Sequence, residues 1–301
     1  MSFFKMAKGL IKKNKILKNI IVNVLRYSND VSPSKQWGRI FNLSKKKLVS
    51  MDGFKMFVMG NDYIGASILK SKSYEPHVTS VVMKLLKEGD VFLDIGANVG
   101  YFTMLASSLV KSNGKVIAFE PNPQNLQLIY SSIVENDAVN VDIYPYAASN
   151  EKAILNFTTV GSNGGVVSAS SQEQQYYFLV PAIVLDELLE SEERISLIKI
   201  DIEAHEPYAI RGMEKLIKRL KPKMITEFHP WAMKQNNLEL PEEYLYQLFD
   251  LGYQISIIEP SGSLLSVSNV KDIFNYWEQL NHEEAHLDLF AEFAEEKSSL
   301  I

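Results

Sequence analysis

The 301-residue chain contains no cysteine. It therefore has no disulfide framework, no thiolate metal site and no cysteine nucleophile. That absence suits a reducing, cytoplasmic setting. No apolar run approaches the roughly 20 residues that a membrane-spanning helix needs. The apolar stretch Ile20–Leu25 is short and no small-residue cleavage site follows it, which predicts no secretory leader. Basic charge is not in excess either. Thirty-one Lys and Arg face 36 Asp and Glu, a net charge of −5, so the chain has no overall bias toward nucleic acid. The G-x-G-x-x-G pattern of dinucleotide binding is also missing from the glycine loop described next.

What is present centres on Val91 to Asn122. Val91, Phe92, Leu93 and Ile95 form a short apolar run, as in a buried strand, and the run breaks at Gly96, Asn98 and Gly100. Tyr101 to Val110 reads as a helix, Asn113-Gly114 as a turn, and Val116 to Phe119 as a second strand ending in Glu120-Pro121-Asn122. Gly96 and Gly100 let the backbone turn tightly and approach a ligand. Asn98 is expected to cap the helix. Asp94 ends the first strand beside the loop. Glu120, at the tip of the second, is placed to accept hydrogen bonds from both hydroxyls of a ribose. A loop reading D-x-G-A-N-x-G, with no glycine pair for a pyrophosphate, favours S-adenosylmethionine (SAM) over NAD.

Further motifs follow in order: LDELL near residue 185, LIKIDIEAHEP from Leu197 and PKMITEFHP from Pro222. Together with DIGANVGYFT and AFEPNPQN, they resemble FkbM-type SAM-dependent methyltransferases over roughly Tyr74 to His229. The resemblance implies a doubly wound, Rossmann-like class I methyltransferase sheet, mostly parallel with an antiparallel last strand. It implies SAM as cofactor and a hydroxyl on a glycan or natural product as acceptor. An NAD-dependent oxidoreductase on a similar sheet, and a catalytically silent SAM-fold docking module, are the alternatives. Glu75, in the Tyr74-Glu75-Pro76 approach to the first strand, is expected near the methionine end of SAM. The loop Pro145-Tyr146-Ala147-Ala148 is expected beside the adenine, with backbone groups at Ala147 doing the reading.

The family pattern K-x-D-x-E-G-x-E appears here as Lys199-Ile200-Asp201-Ile202-Glu203-Ala204-His205-Glu206. Ala204 replaces the glycine and His205 is a departure able to titrate near neutral pH. Asp201, Glu203, His205, Glu227 and His229 are the candidates for general base, and Asp201 is expected to act as base or acceptor-orienting group, with His205 as rival. His229 is expected to line the acceptor pocket or to cap the strand end. Asp201 and Glu227 alone do not make a metal site, so no metal is expected.

Three divisions are expected: an extension over 1–73, the methyltransferase domain over 74–270, and an acidic helix over 271–301. Residues 1–55 hold thirteen basic and two acidic residues, and the tail from Lys271 holds two lysines and eight acids. Residues 1–27 read as an amphipathic helix that packs its apolar stripe on the domain or rests on an anionic membrane surface. Lys47 to Gly60 reads as a hairpin turning at Asp52-Gly53, and Asn61 to Lys87 as mostly helical. Val160 to Gln175 is expected to be a polar, glycine-serine loop. Tyr208 to Arg219 should be one helix, and 253–258 with 264–267 the sixth and seventh strands. His282-Glu283-Glu284-Ala285-His286 matches the zinc motif H-E-x-x-H on an expected helix, and is read as a chance match.

Overall fold

The computed structural model describes residues 46–160, 163–167, 177–235, 240–280, 282 and 285–294. The expected N-terminal helix over 1–27 lies outside them. The described chain opens with a hairpin, β1 (Lys46–Ser50) and β2 (Lys55–Met59), that turns where Gly53 adopts φ +84°. Helix α1 (Tyr63–Ser71) follows, its first turn capped by Asp62, which accepts the Gly65 N–H at 2.6 Å. Helix α2 (Pro76–Leu85) then leads into the expected core series. That series is β3 (Val91–Ile95), α3 (Tyr101–Val110), β4 (Lys115–Phe119), α4 (Pro123–Glu135) and β5 (Val141–Tyr144). The hairpin docks on α4 through polar anchors: the Phe57 N–H donates to Ser132 Oγ and the Lys55 N–H to Asn136 Oδ1.

A second, four-stranded sheet intervenes. Its order is β6-β9-β7-β8, with β6 (Ala147–Ala148), β7 (Ala153–Val160), β8 (Asn163–Val167) and β9 (Tyr177–Ile183). The expected loop over 160–175 is thus corrected in part. Asn163 to Val167 forms a strand because β7 supplies a full antiparallel ladder beside it, a partner that local composition does not reveal.

The chain returns to the main sheet through α5 (Leu185–Leu188), β10 (Leu197–Ile200), α6 (Glu206–Arg211), α7 (Glu214–Leu220) and β11 (Lys223–Phe228). The single helix expected over Tyr208 to Arg219 is two helices. They part at Gly212, where a Cβ would overlap the Ser149 carbonyl. After α8 (Pro230–Gln235) and α9 (Pro241–Asp250) come β12 (Tyr253–Ile258), β13 (Leu264–Ser266), α10 (Val270–Gln279) and β14 (Leu287–Phe293).

The eight-stranded sheet has the order β13-β12-β14-β11-β10-β3-β4-β5. Strands β11, β10, β3, β4 and β5 run parallel, while β14 runs antiparallel to both neighbours, β11 and β12. An α/β, doubly wound and mostly parallel sheet with an antiparallel last strand is therefore the architecture. That last strand is a correction in place: it is Leu287–Phe293, inserted between β11 and β12, and not the 264–267 segment. The acidic helix expected over 271–301 is corrected with it, since helix ends at Gln279 and the main sheet claims 287–293. Leu287, Asp288, Leu289, Phe290 and Ala291 are all buried there. Two long-range ladders overrode a composition rich in Leu, Ala and Glu. His282, Ala285 and His286 lie between α10 and β14, outside any helix, so the zinc motif lacks the helical face it requires. No helix among the described residues is long and apolar enough to cross a membrane.

Candidate active site

The strand order reverses between β3 and β10. The chain leaves β3 for β4 and β5 on one side, then returns to pair β10 on the other. Loops leaving two such strands diverge and open a crevice at their carboxyl ends. Here the walls are the loop Gly96 to Gly100 and the loop Asp201 to His205.

The first loop is pinned from beneath. The Gly96 and Ala97 N–H groups donate to Phe119 O at 2.9 and 3.0 Å, which ties it to the end of β4. Gly96, at φ +87°, packs so closely on β10 that a Cβ would overlap the Asp201 carbonyl. Gly100, at φ +86°, is itself the cap position of α3, and a Cβ there would meet Ile129 at 2.8 Å. Both glycines are thus demanded by the protein's own close packing. Asn98 does not cap the helix, contrary to expectation. It turns through φ +51°, donates its N–H to Glu120 Oε2 at 2.7 Å, and donates from Nδ2 to Asn163 Oδ1 at 3.1 Å.

Glu120 leaves the tip of β4 and is 4% exposed. Its Oε1 accepts the Asn122 N–H, also at 2.7 Å, so one carboxyl ties both flanking loops. Burial pushes that carboxyl up to about 8 against the opposing pull of these backbone donors. Asn122 caps α4 by accepting the Gln124 N–H at 3.0 Å, a supporting position.

Two clefts meet at Gly96, Asn98 and Asp201. The larger, about 540 Å³, is walled by Glu120, Pro121 and Asn125 on one side and Tyr146, Ala147 and Ala148 on another. The β7–β8 hairpin contributes Phe157, Gly164 and Val166 to it, and Glu203 and His205 line it from the loop after β10. The smaller, about 270 Å³, runs toward Tyr74, Tyr101, Phe102 and Lys199. A cleft with an apolar wall and an acid that can accept hydrogen bonds from hydroxyls suits a nucleoside.

The other expected residues divide. Asp94, 1% exposed, lines neither cleft; it accepts the Thr103 hydroxyl at 2.6 Å, and burial raises it to about 6. Glu75 stands at the start of α2 at φ +41°, with Lys199 Nζ 3.9 Å away, and burial raises it to about 7. His77, two residues on, bonds Asp288 of β14 at 2.7 Å and so fixes that end of α2. Asp201 is gripped by Lys199 at 2.9 Å, and Lys199 is itself buried beneath the Phe102 ring. Its neighbours Asp201, Glu75 and Asp94 keep that lysine charged in spite of burial.

One histidine expectation needs correction, the titration of His205 near neutral pH, and for His229 the strand-end alternative is the one its contacts favour. His205 is neither solvent-facing nor titrating near neutrality. It is 4% exposed, stacked on Tyr208 at 4.7 Å and 3.2 Å from Ser149 Oγ. Burial, then the Arg211 charge, lowers it to about 4 and keeps it neutral. His229 lines neither cleft; its Nδ1 accepts the Ala232 N–H at 3.4 Å ahead of α8, the strand-end role. Glu227, half-buried near Asp201, Glu203 and Glu206, is raised well above the usual carboxylate range and also lines neither cleft. Among the described residues, no group of three or more His, Asp or Glu is disposed to hold a metal ion.

Sequence reasoning missed Phe157 and Asn125, whereas Tyr146, Gly164 and Val166 lie in the two loops it had singled out. The glycine pair Gly164-Gly165 was the available signal, since it lets the hairpin lie flat on the site.

A family model described as the FkbM methyltransferase domain matches residues 94–255. No curated protein matches the chain. Among solved structures, methyltransferase FkbM from Methylobacillus flagellatus KT is 16% identical over 71% of this chain and 50% of its own, with a TM-score of 0.42; this chain spans about half its length. A SAM-dependent O-methyltransferase from Thermotoga maritima is 15% identical over 84% and 88%, TM-score 0.42. A SAM-dependent methyltransferase from Aquifex aeolicus is 16% identical over 77% and 95%, TM-score 0.40. These distant likenesses do not bear on substrate. The domain match covers more than half of the chain and falls on the two loops and strand-tip acid that build the crevice, and the chain belongs to the FkbM family of methyltransferases.

Proposed function

We propose that this protein transfers a methyl group from SAM to a hydroxyl of a glycan or natural-product acceptor. The observation that carries this reading is Glu120, which lines the larger cleft with Pro121, Ala147 and Phe157 and is fixed there by two backbone donors, the Asn98 and Asn122 N–H groups, and by the Asn125 side chain. A carboxyl so placed has capacity for both ribose hydroxyls, and the flat slot under the hairpin suits adenine. Lys199 and Asp201 would meet the charged amino-acid end through the smaller cleft, with Glu75, which lines neither cleft, 3.9 Å from the Lys199 ammonium. Bound SAM supplies a methyl group that is already electrophilic.

The protein's task is then to hold an acceptor oxygen in line and to remove its proton. Asp201 suits the first task. Its carboxylate is fixed by Lys199, and it borders both clefts. Isothermal titration with SAM and with NADH tests the reading. SAM is expected to bind and NADH to give no heat. Binding of NADH alone would favour an oxidoreductase, and no binding of SAM would end the methyl-transfer reading. A mass-shift screen over glycans and hydroxylated metabolites then identifies the acceptor, by a gain of one methyl per molecule.

A further inference from the structure

We propose that Glu203 is the catalytic residue that takes the proton from the acceptor hydroxyl, with Asp201 positioning that hydroxyl. The inference rests on the methyl-transfer reading above and adds the identity of the base.

Geometry singles Glu203 out. The loop between β10 and α6 passes through two successive left-handed residues, Glu203 at φ +55° and Ala204 at φ +71°, neither of them glycine. Such conformations are costly and persist only where the surroundings enforce them. Three contacts do so here. The Asp201 N–H donates to Ile95 O at 3.0 Å, Glu206 Oε1 accepts the Ile202 N–H at 2.8 Å, and Ala204 is completely buried. The bend places Glu203 on the wall of the larger cleft. From above, Gly165 of β8 presses on its stem, since a Cβ at 165 would stand 3.0 Å from Glu203 Cβ. Glu203 is thus held between its own loop and β8 on the wall of the cleft that Glu120 also lines.

The rivals are committed elsewhere. Asp201 is paired with Lys199, His205 is a weak base held against Ser149 and Tyr208, and Glu227 and His229 line neither cleft. The charges around Glu203 are Asp201 and Lys199 from the β10 end, Glu206 from α6 and Glu227 from β11. The described part of β8 brings Asn163, two glycines and Val166 toward it, with no charged side chain. Burial first, then the Asp201 charge, raises the Glu203 carboxyl to about 7, with Lys199 opposing. A carboxylate of that basicity is present at neutral pH and is a far better proton acceptor than an exposed glutamate.

In the step, the acceptor O–H bond breaks and its proton ends on a Glu203 carboxylate oxygen. The oxygen's electron pair forms the new C–O bond to the methyl carbon. The pair of the breaking C–S bond stays on sulfur, leaving a neutral thioether.

The test needs no acceptor. SAM carries a positive sulfonium, and S-adenosylhomocysteine (SAH) is its neutral counterpart. Titration calorimetry at pH 7, in two buffers of different ionisation enthalpy, counts protons released on binding. SAM is expected to release a few tenths of a proton more than SAH, because the sulfonium stabilises a nearby half-protonated carboxylate. In Glu203→Gln that difference should fall by at least about half, the remainder coming from Glu75, while SAH affinity stays within about threefold of wild type. Equal release by SAM and SAH in the wild type, or a difference left undiminished in Glu203→Gln, overturns the assignment. Should Glu203→Gln lose SAH binding, Glu203→Asp is read in its place and must shrink the difference. If neither SAM nor SAH binds the wild type, the parent reading fails and takes this assignment with it.

Discussion

Replacing Glu120 by alanine removes the acceptor for two backbone donors at once. The Asn98 and Asn122 N–H groups, each 2.7 Å from a carboxyl oxygen, would be left without it in a site where Glu120 is 4% exposed. A buried donor stripped of its partner costs about 1–3 kcal/mol. Two such losses amount to about 2–6 kcal/mol, and the variant also sheds a carboxyl whose ionisation burial already opposes, so a net loss of about 2–4 kcal/mol is expected. Glu120→Gln keeps one oxygen and the same shape, so it should lose about half as much. Urea unfolding reads both variants, as a lower midpoint at unchanged slope. Calorimetric titration with SAM then reads the ligand side, where Glu120→Ala should bind far more weakly than its residual stability would explain. A wild-type urea midpoint in Glu120→Ala would refute the loop-tying account. An unchanged SAM affinity in a folded variant would refute the ribose assignment.

Three other outcomes are expected. Gly96→Ala adds a Cβ against the Asp201 carbonyl at φ +87°, and strain of about 1–2 kcal/mol with overpacking of about 1–3 kcal/mol should cost about 2–5 kcal/mol in urea unfolding. Leu289→Ala, at a fully buried position of β14, should cost about 2–5 kcal/mol; a loss below about 1 kcal/mol would show that β14 does not complete the core. The unliganded protein should be less stable at pH 8 than at pH 6.5. Glu75, Glu120, Glu203 and Glu206 have carboxyls raised to between about 7 and about 8. The folded state therefore holds protons that the unfolded chain has released, and stability falls as pH rises through that window. Below pH 6.5 His205, lowered to about 4, acts in the opposite sense, because the unfolded state takes up the proton first. Thermal melts across pH 5 to 8.5 check the decline, and a rise from 6.5 to 8 would contradict the burial of these groups.

The local sequence carried β3, the glycine loop, α3, β4 and Glu120, because each depends on short-range rules: an apolar run, residues without a Cβ, and an acid at a strand tip. It also carried the K-x-D-x-E segment as the second wall of the site. The rest was decided by partners remote in the chain. Leu287–Phe293 became a strand because β11 and β12 offered ladders on both sides, and Asn163–Val167 because β7 did. Tertiary packing also set the chemistry of identical residue types. It made His205 neutral by burial and His229 a helix cap, turned Asp94 away from both clefts, and left Glu203 on the cleft wall. Residue type names a group's possible reactions, but solvation and neighbouring charge decide which it performs, and both come from chain segments that meet only after folding.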